Sequence, residues 1–258
     1  MVGAGGRQLL GSLAALLALG CTAAACSEVS SAAPARRDSV VALGDSVPRG
    51  THCNCRPYPP LTADDLRAVS GKTVTATNDS VAGYTTDDVV RQLRSNTKVV
   101  GDVRRANVVE IEIGANDVGY TAACGTNVDC YAPRVPTVRR NLAAIVARVD
   151  ALTAGHKKLV VLVDYWSVWL GGQYAAAKGQ AYVAAAEEMT DRVNSAIKST
   201  AAKSGSAYVD LRAAFKGPDY RFDETHYLSS DGDHPNAAGH RRIASAAGVV
   251  IKKALLGR

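Results

Sequence analysis

Residues 38–50 read DSVVALGDSVPRG. Val40, Val41, Ala42 and Leu43 make a short apolar run, and Gly44-Asp45-Ser46 stops it at a turn. A run of that length bounded by turn residues reads as a strand buried on both faces. Four more segments read the same way: KTVTATND (72–79), ANVVEIEIG (106–114), HKKLVVLVDY (156–165) and SAYVDL (206–211). Helical patterns lie between them. TTDDVVRQLRSN (85–96) opens with threonines and aspartates, which favour a helix N-terminus. RVPTVRRNLAAIVARVDALTAG (134–155) and KGQAYVAAAEEMTDRVNSAIKSTAAKSG (178–205) are longer, and each ends at a glycine. In the second, Tyr182, Ala186, Met189, Val193 and Ile197 share one face and should pack on the sheet. A last helix is expected from about Asn236 to Leu255. Strands alternating with helices predict an α/β fold with a parallel sheet covered on both faces.

The 47% apolar and 21% charged content is that of a globular chain with a real core. The first 26 residues differ. One arginine (Arg7), about a dozen apolar residues and then small residues form the layout of a secretory signal, too short to span a bilayer comfortably. Cleavage is expected near Ala25 or at the APA of 33–35. Residues 1–35 are therefore read as signal and linker, and 36–258 as one domain. Cys21 and Cys26 each follow a small-residue run, which leaves a lipid anchor open; neither has the usual branched apolar residue three positions upstream.

Export implies a compartment where disulfides persist. Cys53, Cys55, Cys124 and Cys130 remain after the leader. Local pairing of Cys124 with Cys130 is expected. A Cys53–Cys55 bridge would close a tight ring, and cross-pairing of the two loops stays open. A zinc site on these cysteines is disfavoured by the oxidising compartment. The formal charge of +6 fits association with an anionic cell envelope weakly. No basic run is interleaved with aromatics, which argues against a nucleic-acid partner.

In open parallel sheets, ligands bind beyond the carboxyl ends of the strands. Ser46, Gly83 and Asn116 follow the first, second and third predicted strands, so all three should share that rim. A serine hydroxyl becomes a nucleophile only when a base takes its proton. His234, in SSDGDHPNAAGH (229–240), is the obvious base, and Asp231 lies within a turn of it to fix its tautomer. Oxyanion donors would be the Ser46 backbone N–H, the Gly83 backbone and the Asn116 amide. His240 is read as decorating the last helix and His52 as a loop residue. Asp117 is read as a structural loop residue. Trp166 and Trp169 either line a substrate pocket or pack at the rim. No metal and no organic cofactor is required. SGKT (70–73) fails as a phosphate loop because Leu66 stands where a glycine is needed, and there is no G-x-S-x-G elbow.

GDS at 44–46, the glycine after the second strand, GAND at 114–117 and DGDHPN at 231–236 together resemble the four blocks of the SGNH (GDSL-type) hydrolase family. GDSVPRGTHCNC and DYWSVWLGG look like a secreted actinobacterial branch of it. The resemblance implies a three-layer, flavodoxin-like α/β/α sandwich with a five-stranded parallel sheet. It implies Ser46, Asp231 and His234 as catalytic residues and Ser46, Gly83 and Asn116 as the oxyanion hole. The expected activity is hydrolysis of carboxylic esters, of lipid or acylated-carbohydrate type, by a monomer. Two rivals are an acyltransferase of the same fold and an envelope-associated binding protein with a vestigial site.

Overall fold

The structure is a computed structural model, and it describes residues 38–256. The predicted signal and linker and the two cysteines considered for lipidation lie outside the described residues. The strands are β1 (Asp38–Gly44), β2 (Val74–Asn78), β3 (Val108–Glu112), β4 (Leu159–Val163) and β5 (Ala207–Val209). The helices are α1 (Ser46–Arg49), α2 (Tyr58–Ser70), α3 (Thr86–Ser95), α4 (Thr97–Arg105) and α5 (Val128–Tyr131). They continue with α6 (Val135–Leu152), α7 (Gly172–Ala176), α8 (Gln180–Ser204), α9 (Leu211–Lys216) and α10 (Ala237–Leu256).

All five strands run parallel in the order β2-β1-β3-β4-β5. β3 and β4 are buried along their whole length, as parallel strands under two helical layers must be. α2 and α10 pack together on one face, and α3, α6 and α8 cover the other. The predicted stripe of α8 is inside: Tyr182, Ala186, Met189, Val193 and Ile197 are all buried. Among the described residues no helix is long and apolar enough to cross a membrane.

The order of strands fixes where a site can form. From β1 the chain steps to β2 on one side, and β3 returns to pair on the other side of β1. Their carboxyl ends leave a crevice at this reversal. The loops after β1 and β3 both open into it.

Candidate active site

β1 ends at Gly44, whose place in the turn is steric. A Cβ there would lie 2.1 Å from the Glu112 carbonyl oxygen and 2.8 Å from Pro48 Cγ. Only glycine lets β1 run this close to β3. Asp45 follows and is buried. Its Oδ1 accepts from the Val47 N–H at 3.0 Å, and its Oδ2 accepts from the Tyr165 hydroxyl at 2.6 Å. Burial pushes the Asp45 carboxyl up to about 6 against the pull of both donors. This buried acid pins the turn that presents Ser46, which is partly exposed at the start of α1.

Asn116 stands after β3 in the short turn Ala115–Val118. Its Nδ2 donates to the Tyr84 carbonyl at 2.9 Å, so it leans on the loop that carries Gly83. Asp117 accepts from the Thr86 N–H at 2.9 Å and from its hydroxyl at 2.6 Å. It ties the loop after β3 to the first turn of α3, the structural role expected from the sequence. Gly83 has φ +80° in an exposed turn, and a Cβ there would touch nothing within 4 Å. Its backbone conformation, rather than crowding by neighbours, calls for glycine.

The loop before α10 presents the histidine. Ser229 N–H donates to the His234 carbonyl at 2.7 Å, and Asn236 N–H donates to the Tyr227 carbonyl at 2.8 Å, closing a tight bend. Within it Asp231 Oδ1 accepts from the backbone N–H groups of Asp233 and His234, each at 3.1 Å. Asp231 Oδ2 accepts from His234 Nδ1 at 2.6 Å. Partial burial pushes the Asp231 carboxyl up, but the His234 ring and these two backbone donors outweigh it and hold it below its ordinary value. His234 is buried apart from one edge.

Ser46 and Asn116 line one cavity of about 400 Å³ together with Tyr120, Trp169, Tyr182 and Lys178. Asp233 also reaches it, whereas Gly83 and the His234 ring are not part of its lining. No hydrogen bond joins Ser46 to His234 in this structure. Trp169 is a pocket wall: its Nε1 donates to the Val118 carbonyl at 2.8 Å while Tyr120 meets its ring edge-on at 5.3 Å. Trp166 instead packs in the core, stacked on Phe215 at 4.5 Å.

One reading of the sequence needs correction. His240 does not decorate its helix. It is fully buried against Tyr58, with ring centroids 6.4 Å apart, and burial pushes its imidazole down to about 4. Cys124 bonds to Cys130 as expected, and of the pairings left open for the other loop the structure has Cys53 bonded to Cys55. The small ring forms because His52 and Asn54, on either side of Cys53, take left-handed backbone conformations with φ 59° and 48°. His52, a loop residue as expected, also faces the histidine site, with its ring 5.1 Å from that of His234. Asp45, Tyr165, Tyr120 and Lys178 carry no reading from sequence, and Tyr182, expected only as a core residue of α8, also lines the cavity. Asp45 had a signal, since an acid at the end of a buried strand needs a partner.

The fold is shared with solved esterases and lipases. A lipase from a goat rumen metagenome matches 83% of this chain and 97% of its own, at 16% identity and a TM-score of 0.61. An acetylxylan esterase from Geobacillus stearothermophilus matches 83% and 94%, at 18% identity and a TM-score of 0.60. TesA matches 83% and 98%, at 17% identity and a TM-score of 0.56. Comparison with the curated proteins found no match. The model of the GDSL-like Lipase/Acylhydrolase family matches residues 42–242, a span that includes Ser46, Gly83, Asn116, Asp231 and His234. The chain belongs to that family and is a carboxylic ester hydrolase.

Proposed function

We propose that the enzyme cleaves small acyl esters through a covalent acyl-serine intermediate. Ser46 Oγ attacks the carbonyl carbon while His234 Nε2 takes its proton. The Asp231 carboxylate holds Nδ1–H toward itself and stabilises the imidazolium. The oxyanion is met by the backbone N–H groups of Ser46 and Gly83 and by the Asn116 amide, whose second N–H is free of the Tyr84 contact. The tetrahedral adduct collapses, and His234 returns the proton to the departing alcohol. Water then attacks the acyl-enzyme with His234 again as base, releasing the acid and restoring Ser46. The observation that carries this reading is the 2.6 Å contact of Asp231 with His234 Nδ1, which turns Nε2 into the free base. In free enzymes the bond from nucleophile to base is often long and tightens when substrate binds.

Aromatic faces and tyrosine hydroxyls around Ser46 suit a short acyl chain or an acylated sugar better than a long fatty chain. An acetylxylan esterase among the structural neighbours is in keeping with the acylated-sugar reading. We infer export from the layout of residues 1–26 and from two disulfides, which persist outside the cytoplasm. Residues 36–258 would then act as one secreted or envelope-associated catalytic domain.

The test is turnover of p-nitrophenyl esters from acetyl to palmitoyl by wild type and Ser46→Ala. Wild type is expected to prefer the short esters, and Ser46→Ala to lose about a thousandfold or more in kcat. A fluorophosphonate probe should label wild type and leave Ser46→Ala unlabelled. Equal rates for the two proteins would remove Ser46 from the mechanism.

A further inference from the structure

Asp231 is shared by two imidazoles. His52 Nε2 lies 3.8 Å from Asp231 Oδ2, the oxygen that also accepts from His234 Nδ1. One donor atom from each of His52, Asp231 and His234 falls within 4.8 Å of the other two. Two imidazoles and a carboxylate are a donor set for zinc, which binds such nitrogens and oxygens at about 2.0–2.2 Å in a tetrahedron. The Asp231–His234 edge of 2.6 Å has to open to about 3.3 Å, the spacing of neighbouring donors in such a tetrahedron. The His52 edge needs only a modest swing of an exposed ring.

The surroundings favour a cation. Asp233 adds a second carboxylate beside the cluster, and among the described residues no lysine or arginine pairs with Asp231 or Asp233. The loop bearing His52 is also fixed to the loop bearing Asp231. Ser229 Oγ donates to the His52 carbonyl at 3.3 Å, and the Cys53–Cys55 bridge closes the chain directly after it. Thr51 and Gly50 N–H groups donate to the Ser46 carbonyl at 3.0 and 3.1 Å, which holds the other end of this segment. Cys53, Cys55 and His240 form another set at ligand spacing, but the two sulfurs are bonded to each other.

We propose that His52, Asp231 and His234 form an inhibitory site for a divalent transition ion such as Zn²⁺, with water as the fourth ligand. The ion takes the place of the proton between Asp231 and His234. The Nδ1 lone pair binds the ion, and the displaced proton is held at Nε2, so the ring stays neutral. The nitrogen that should receive the Ser46 proton is then a donor and cannot act as a base. The ion sits on the Nδ1 side of the ring, away from the acyl cavity, so kcat falls while KM holds. The inhibition rests on the catalytic role proposed for His234, whereas the binding does not.

The experiment adds zinc chloride alone, in buffer free of thiols, and reads both activity and heat of binding. Wild type is expected to bind one ion per chain and to lose kcat in the micromolar range of zinc, with recovery on adding EDTA. His52→Gln, an exchange at an exposed ring, should raise the half-inhibitory concentration about tenfold or more, judged against its own metal-free rate. Calorimetry on Ser46→Ala, with and without His52→Gln, reads binding where no turnover is possible. A wild type that binds zinc through His52 but turns over no ester would uphold the site and sink the catalytic reading instead. Equal affinity with and without His52, or no heat up to about 1 mM zinc, overturns the proposal. Inhibition that raises KM at constant kcat overturns the mechanism assigned to it.

Discussion

His234 takes its orientation from Asp231 twice over: from the ring contact at 2.6 Å and from the backbone N–H that Asp231 Oδ1 accepts at 3.1 Å. One carboxylate therefore shapes the loop and selects the tautomer. Asp231→Asn keeps an oxygen for the loop but removes the charge that stabilises an imidazolium. Its kcat is expected to fall by about a thousandfold to ten-thousandfold with little change in KM, and steady-state kinetics on a short p-nitrophenyl ester checks this. Ser46, Asp231, His234 and Asn116 were legible in the sequence because each sits in a short motif with its own local signal. His52 was not, because the Ser229 contact that holds it spans 177 residues. His240 was misread for a related reason. A histidine on the first turn of a helix gives no sign in sequence of which side that turn buries.

α10 depends on Asn236 for both its start and its direction. Asn236 Oδ1 accepts from the Ala238 and Gly239 N–H groups at 2.8 and 3.1 Å, while its Nδ2 donates to the His226 and Leu228 carbonyls at 2.9 and 2.8 Å. The cap is thus also the clamp that keeps the His234 loop against the helix. Asn236→Ala should cost about 1–2 kcal/mol of stability, seen as a lower urea midpoint, together with a loss of activity as the loop loosens. The start expected from sequence, about Asn236, agrees with a helix that begins at Ala237, and Pro235 stands in an isolated bridge with Leu228, one residue before the cap. α2 escaped notice altogether. Its buried positions Tyr58, Thr62 and Leu66 recur at helical spacing, but a tyrosine, a threonine and prolines at 59 and 60 disguise an apolar face.

Glu110 and Glu112 are two carboxyls buried inside the molecule that tie its stability to pH through their raised pKa. Alternation along β3 turns both toward the layer of α2 and α10, where they are fully buried and neither carboxyl has a hydrogen-bond partner among the described residues. Burial pushes Glu110 up to about 8 and Glu112 well above its ordinary value; Asp45 and Asp164 are pushed to about 6 and about 7. An unfolded chain ionises Glu110 near 4.5, so between about 4.5 and 8 only the native state keeps that proton. The stabilising contribution is full below 4.5 and is lost as pH rises through 8. Thermal unfolding should therefore show Tm falling from pH 5 to pH 9, by the equivalent of a few kcal/mol for Glu110 alone, on the order set by linkage. Glu110→Gln, which has no proton to keep, should flatten that slope; an unchanged slope would mean that other groups carry it.

The sequence by itself determined the strands, the long helices and the four blocks around Ser46, Gly83, Asn116 and Asp231–His234. Those depend on local chemistry: apolar periodicity, turn residues at strand ends, and an acid three residues before a histidine. The tertiary structure alone decided the strand order, which opens a crevice between β1 and β3 where Ser46 and Asn116 meet. It decided that Cys53 pairs with Cys55, that Trp169 rather than Trp166 walls the cavity, and that His52 faces Asp231. Apart from the Cys53–Cys55 ring, which closes over two residues, these are contacts between segments far apart in the chain. Their geometry follows from how the layers pack, and no stretch of sequence read alone contains that.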